Sequence, residues 1–201
     1  MARAPALLLA VVTAILFSRA YPDRPPLGHT GGFGEPTCAR CHAGAALNDP
    51  GGRLSVEGLP REYRPQATYR LTVTLQRPGM GRAGFQLSVR HGSGDLIGRD
   101  AGALKAVDDR VALGDSLGVH YAFHTGAGTR SSLRDRATWQ VDWKAPAGGA
   151  GLVVAHVAAN AANDDASELG DFVYADSAVS TNAMADAPAS PSPRGTVPPA
   201  P

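Results

Sequence analysis

The sequence predicts an all-β chain: an immunoglobulin-like β-sandwich with a loop ahead of it and a tail behind. Three observations carry that expectation. Apolar and polar residues alternate in steps of two over several short runs, the pattern of a strand with one buried face. Glycine clusters at 79–84, 92–94 and 126–128 separate those runs, as turns separate the strands of a sandwich. No convincing stretch of helical period follows the first twenty residues, and 24 glycines and 16 prolines in 201 residues favour turns over helix.

Taken in chain order, residues 1–20 read as a signal peptide. Arg3 precedes an apolar run from Ala6 to Phe17, broken only by Thr13, and Ser18-Arg19-Ala20 fits a small-x-small cleavage site. The run falls short of the roughly 20 residues of a bilayer span, so cleavage after Ala20 is expected rather than an uncleaved anchor. Loss of Arg3 and Arg19 takes the formal net charge from +1 to −1. A chain so close to neutral has no basic footprint for nucleic acid. No second apolar run of spanning length follows, so no transmembrane segment is expected after cleavage. The expected location is periplasmic or extracellular.

Residues 21–52 form a segment of their own. Tyr21 to Pro36 is rich in Pro and Gly without periodicity, a lead-in loop expected to wrap whatever Cys38 and Cys41 hold. The sandwich is expected over 53–181. Tyr69, Leu71, Val73 and Leu75 alternate with Thr68, Arg70, Thr72 and Thr74. Phe85, Leu87 and Val89 alternate with Gln86, Ser88 and Arg90. Trp139, Val141 and Trp143 alternate with Gln140 and Asp142 until Ala145-Pro146 ends the run. The Trp pair is expected in the core. Gly151 to Ala159 is apolar on both faces, as a central strand would be, and Phe172 to Val179 makes a last strand. Residues 182–201 turn to Ala, Pro and Ser, too poor in large apolar groups to pack, and are expected to be disordered.

The two cysteines stand two residues apart, where a disulfide would close a tiny loop and add little stability. Cys38-Ala39-Arg40-Cys41-His42 is a C-x-x-C-H, the pattern that attaches c-type haem. Each thiol adds across a vinyl group, and His42 follows as the proximal iron ligand. A plain disulfide, a dithiol redox pair and a zinc site are the alternatives. The dithiol reading expects a βαβ pattern that is not seen, and zinc would want more thiols or a paired His set. The cofactor expected is therefore one haem c.

The segment Gly31 to His42 resembles the opening of bacterial Reeler-like domains that carry a C-x-x-C-H, also met as choice-of-anchor exported proteins. The resemblance continues through Tyr63-Arg64-Pro65, Tyr69 to Thr74 and Gly84 to Leu87, then Tyr121 to Thr125, Trp139 to Trp143 with Ala145-Pro146, Asn160 to Asn163 and Gly170-Asp171. It covers roughly 28–180 and implies an immunoglobulin-like sandwich, while the role of such domains is poorly defined. No C-terminal sorting anchor is evident.

A second axial ligand, His or Met, usually completes the iron of an electron carrier. His124 is the first choice. In Val119 to Thr125, Tyr121 and Phe123 share one face, taken as the core side, and His120, Ala122 and His124 the other. The resemblance also implies a His at position 124. His29 is the local alternative from the lead-in loop. His156 reads as a buried, hydrogen-bonded histidine, His91 as a surface residue, and Met80 as part of a mobile turn. Asp164, Asp165, Glu168 and Asp171 read as a solvated loop rather than a calcium site, and Ser131 and Ser132 lack a partner for nucleophilic work.

These readings make the chain an exported monohaem cytochrome that transfers electrons to an unidentified redox partner protein, rather than an enzyme. The alternatives are an extracellular binding or adhesion module of Reeler type and a haem enzyme or sensor with an open iron site.

Overall fold

A computed structural model describes residues 24–148 and 151–183. The expected signal peptide and nearly all of the Ala/Pro-rich tail lie outside the described residues. Among those described, no helix is long and apolar enough to cross a membrane.

The described residues form eleven strands: β1 (Ala43–Gly44), β2 (Arg53–Glu57), β3 (Glu62–Tyr63), β4 (Thr68–Gln76), β5 (Arg82–His91), β6 (Ala103–Ala106), β7 (Val111–Ser116), β8 (Val119–His124), β9 (Arg136–Lys144), β10 (Val153–Ala162) and β11 (Leu169–Asn182). They form two sheets. One has the order β1-β11-β10-β5-β8-β7, with β3 also pairing β11; the other has the order β2-β4-β9-β6. The chain is thus the all-β sandwich its alternating runs predicted.

The core lies between the sheets and takes alternate residues from each. In the β4–β9 register Leu71 pairs with Val141, Val73 with Trp139 and Leu75 with Ala137, and all six are buried, as is Trp143 opposite Tyr69. Phe85, Leu87 and Val89 of β5 and Val153, Ala155 and Val157 of β10 close it from the other sheet. Burial at about 25 cal/mol per Å² of apolar surface makes this layer the main stabilising term. Each Trp also satisfies its ring N–H: Trp139 Nε1 donates to the Gly128 carbonyl at 2.9 Å and Trp143 Nε1 to that of Ala101 at 2.7 Å. Neither ring leaves an unpaired donor in the apolar layer.

β10 is flanked by β5 and β11, as its two apolar faces predicted. Its second face, and that of β5, is covered by the lead-in loop. Gln86 ties that loop down, accepting the His29 N–H at 2.7 Å and donating to the Pro26 carbonyl at 3.0 Å. Glu35 is the second anchor: Arg90 and Tyr121 (2.5 Å) donate to one carboxylate oxygen and the Thr30 hydroxyl (2.6 Å) to the other. Phe33 packs edge-on to His156 with ring centroids 5.2 Å apart.

Four sequence expectations are corrected here. Ala122, not the aromatics, is the β8 residue in the core; Tyr121 and Phe123 face the loop, where Tyr121 meets Glu35 and Phe123 meets Arg24. His91 is buried rather than on the surface, and Met80 is packed in the core rather than mobile in a turn. His156 is only half-buried, and its Nδ1 has no hydrogen-bond partner among the described residues, against the expected bonded histidine. An aromatic–polar alternation says which residues share a face, and leaves open which face a second layer will cover.

The Glu35 anchor carries a pH dependence. Burial alone would raise its pKa, but hydrogen bonds from Thr30, Tyr121 and Arg90, with the Arg90 charge, bring it below the ordinary 4.5. A group depressed on folding stabilises fully above its unfolded pKa, and that stability is lost as the pH falls through the folded value. The protection of residues 24–37 against hydrogen exchange, relative to the unfolded chain at the same pH, is therefore expected to hold from neutral pH to about 4.5 and to fall below it. In Glu35→Gln the loop exchanges faster already at neutral pH and the acid step disappears. Unchanged protection from pH 6 to 3 in the unsubstituted chain contradicts the anchor.

Candidate functional site: a cleft that gathers the C-x-x-C-H and two further histidines

Thr37 caps a single 3₁₀ turn, Cys38–Arg40, with its Oγ1 accepting the Ala39 N–H at 3.3 Å. The N–H groups of Cys41 and His42 both return to the Cys38 carbonyl, at 3.1 and 3.0 Å. The five residues of the motif therefore fold on one tight turn. Immediately afterwards Ala43 donates to the Glu168 carbonyl at 2.8 Å, and β1 runs parallel to the start of β11. That short pairing fixes His42 beside Asp171.

The His42 ring lies 2.6 Å from Asp171 Oδ2 through Nδ1. Asp171 is buried, and Asn160 Nδ2 donates to the same carboxylate oxygen at 2.9 Å. With Nδ1–H given to Asp171, the His42 lone pair sits on Nε2. This is the arrangement that orients metal-ligating histidines.

His124 ends β8, where the pairing with β5 stops after Gln86 and Leu87. Its ring continues the ladder in place of backbone: Nδ1 lies 3.0 Å from the Phe85 N–H and 3.3 Å from the Phe85 carbonyl. The ring lies across Gly84, where a Cβ would come within 2.6 Å of Cε1, so glycine is what lets it lie there. His124 is buried, not on an exposed strand face as expected. His120 is separate and exposed, held by Asp100.

One cleft joins these pieces. Cys38, Cys41, His42, His124 and His29 line it together with Gly84, Gln86, Asn160 and Ala162, and Pro25 and Pro26 form a rim. Its free space is about 980 Å³, counting the mouth open to solvent. The floor is the loop-facing side of β5 and β10. His156, His91 and Met80 do not line it.

Both cysteines are free thiols. Burial, with the neighbouring Cys41 adding to it, pushes the Cys38 thiol up to about 12. A thiol so reluctant to ionise is the opposite of the activated thiolate of a dithiol redox centre. Among the described residues no three His, Cys, Asp or Glu side chains cluster as a bare metal-ion site.

Asp171 and Asn160 are the site residues that sequence reasoning missed. By sequence Asp171 groups with the solvated acids 164–168, yet it belongs to the strand that follows them. The available signal was position: in Asn160-Ala161-Ala162-Asn163 and Gly170-Asp171, polar residues interrupt apolar strand runs at facing ends of β10 and β11.

No protein-family model matches the chain, and no curated protein sequence matches it either. Solved structures are similar to it in fold. The reeler domain of human F-spondin (fragment 1) is 23% identical with a TM-score of 0.47, over 69% of this chain and 94% of that one. The Reelin-N domain of F-spondin is 22% identical with a TM-score of 0.45, over 72% and 93%. A cohesin module from Clostridium perfringens family 33 glycoside hydrolase is 8% identical with a TM-score of 0.43, over 65% and 96%.

Proposed function

We propose that this chain is an exported, Reeler-like β-sandwich module that carries one haem c in the cleft, bound through Cys38 and Cys41, with His42 as proximal and His124 as distal iron ligand. The observation behind this reading is the convergence of the C-x-x-C-H and His124, far apart in sequence, on one cleft.

The residues present fit the group. Both sulfurs are free thiols that line the cleft, as thiol–vinyl addition would require. His42 presents Nε2 because Asp171 takes its Nδ1–H. His124 Nδ1 accepts the Phe85 N–H at 3.0 Å; coordination through Nε2 would take the other tautomer, with Nδ1–H turned to the Phe85 carbonyl 3.3 Å away. Asn160 Oδ1, also in the cleft wall, is buried without a hydrogen-bond partner.

A haem held by Cys38, Cys41, His42 and His124 would supply one-electron transfer. The chain's own part is to hold one imidazole in the turn just ahead of β1 and the other at the end of β8, and to close the rim with the anchored lead-in loop. The redox partner is a protein of unknown identity.

The second reading, an extracellular binding module of Reeler type, goes with the reeler-domain likeness and needs no haem. Export with haem-attachment machinery, followed by a visible spectrum, decides between them. A six-coordinate low-spin spectrum supports the electron carrier. A five-coordinate high-spin spectrum moves the reading to an open-site enzyme or sensor, and the absence of a haem band leaves the module.

A further inference from the structure

The carboxylate beneath His42 is costly for the fold. Asp171 is 1% exposed, and no Lys or Arg lies within ion-pair distance of it among the described residues. His42 Nδ1 lies 2.6 Å from its Oδ2, and it accepts Asn160 Nδ2–H at 2.9 Å and the Asn163 N–H at 3.2 Å; Asn160 Nδ2 also lies 3.0 Å from His42 Nδ1, and with Nδ1–H given to the carboxylate the amide is left to Asp171. All three donors are formally neutral in that arrangement. A buried carboxylate without a cation is among the more expensive groups a core can hold. An Asn or Ser could accept these bonds at a lower desolvation cost. A negative charge here makes sense if something positive lies on the far side of the imidazole, and His42 is the group that separates Asp171 from the cleft.

We propose that Asp171 is the positioning residue of His42: it fixes the Nδ1–H tautomer, aims Nε2 at the cleft, and through its charge favours the higher oxidation state of the iron that His42 ligates. The last part rests on the haem reading above; the tautomer does not. Asn160 is the support. Its amide donates to the Asp171 oxygen that faces His42, so the carboxylate cannot turn away without losing that bond. The chain connectivity reinforces this: β1 pairs with β11 at Gly44 opposite Asp171, two residues beyond His42.

The test has two arms on the full chain. In protein made without haem-attachment machinery, long-range proton–nitrogen NMR reads which nitrogen of His42 carries the proton. The expected result is Nδ1–H in the unsubstituted chain and a mixture of tautomers in Asp171→Ala. An Nε2–H ring in the unsubstituted chain overturns the positioning role, whatever the variants do. In haem-loaded protein, Asp171→Asn keeps the shape and an acceptor but removes the charge. At fixed ambient potential its ferric-to-ferrous ratio should fall about tenfold, a rise in midpoint of about 59 mV. Haem still attached with an unmoved midpoint overturns the charge effect. An unsubstituted chain that takes up no haem overturns the haem reading and the bias on iron with it, and the tautomer arm still decides the positioning role.

Discussion

Exported with haem-attachment machinery, Cys38→Ala with Cys41→Ala shows no haem stain after denaturing electrophoresis, while the unsubstituted chain stains as a single band. The effect is all or none because denaturation strips every haem that is not covalently held. The turn at 38–42 is the reason to expect it. Both thiols line the cleft, both are free, and His42 lies one residue beyond Cys41 with its ring oriented by Asp171. The substitutions themselves cost the fold little, since Cys38 is half-buried and Cys41 exposed, and neither is among the core residues. Circular dichroism of the double variant should match that of the parent. Stain that survives in a folded double variant places the attachment elsewhere and removes the basis of the proposed function. A parent that forms a Cys38–Cys41 disulfide and takes up no haem removes that basis as well.

The sandwich was legible because strand pairing with one buried face writes itself as alternation. The alternating residues at 68–75, 85–90 and 139–143 pointed to three of its strands, and Gly151 to Ala159 announced the central one. What could not be read was the layer outside the sheet. Tyr121 and Phe123 look like core residues because large aromatics usually fill cores, yet their face is covered by the lead-in loop, held through Glu35, Arg90 and Gln86. Glu35 lies 55 residues from Arg90 and 86 from Tyr121. No local period connects such positions. The same blindness hid Asp171. As one acid after three others it resembles a loop charge, and only the parallel pairing of Ala43–Gly44 with β11 brings His42 to it. The motif could be read because its chemistry lies within five consecutive residues. Its supporting residues could not, because strands far apart in sequence supply them. Alternation in β8 points to His124 on an exposed strand face; the structure instead buries it beside β5, where Gly84 makes room.

That placement sets the second large effect. In haem-loaded protein, His124→Ala converts a low-spin spectrum to high-spin while the haem stays attached, since the thioethers do not depend on the distal side. The ring is well placed for this role. It belongs to a strand rather than a loop, it is buried, and Nδ1 is held at the Phe85 peptide. When Nδ1 donates to the Phe85 carbonyl, Nε2 is the coordinating nitrogen. Gly84→Ala provides an independent check that leaves every histidine in place. Its Cβ would fall 2.6 Å from His124 Cε1, so the ring must shift, and partial high-spin character is expected without any ligand being deleted. His29 is the control that matters, because it lines the same cleft with its own Nδ1 3.2 Å from the Leu27 carbonyl. It sits on the lead-in loop, so His29→Ala should leave the spectrum low-spin, as should His120→Ala and His156→Ala. The reverse outcome, a spin change in His29→Ala and none in His124→Ala, makes the loop the source of the distal ligand. His124 would then be a residue that closes the β5–β8 ladder with its side chain, and its loss would lower thermal stability rather than change the iron.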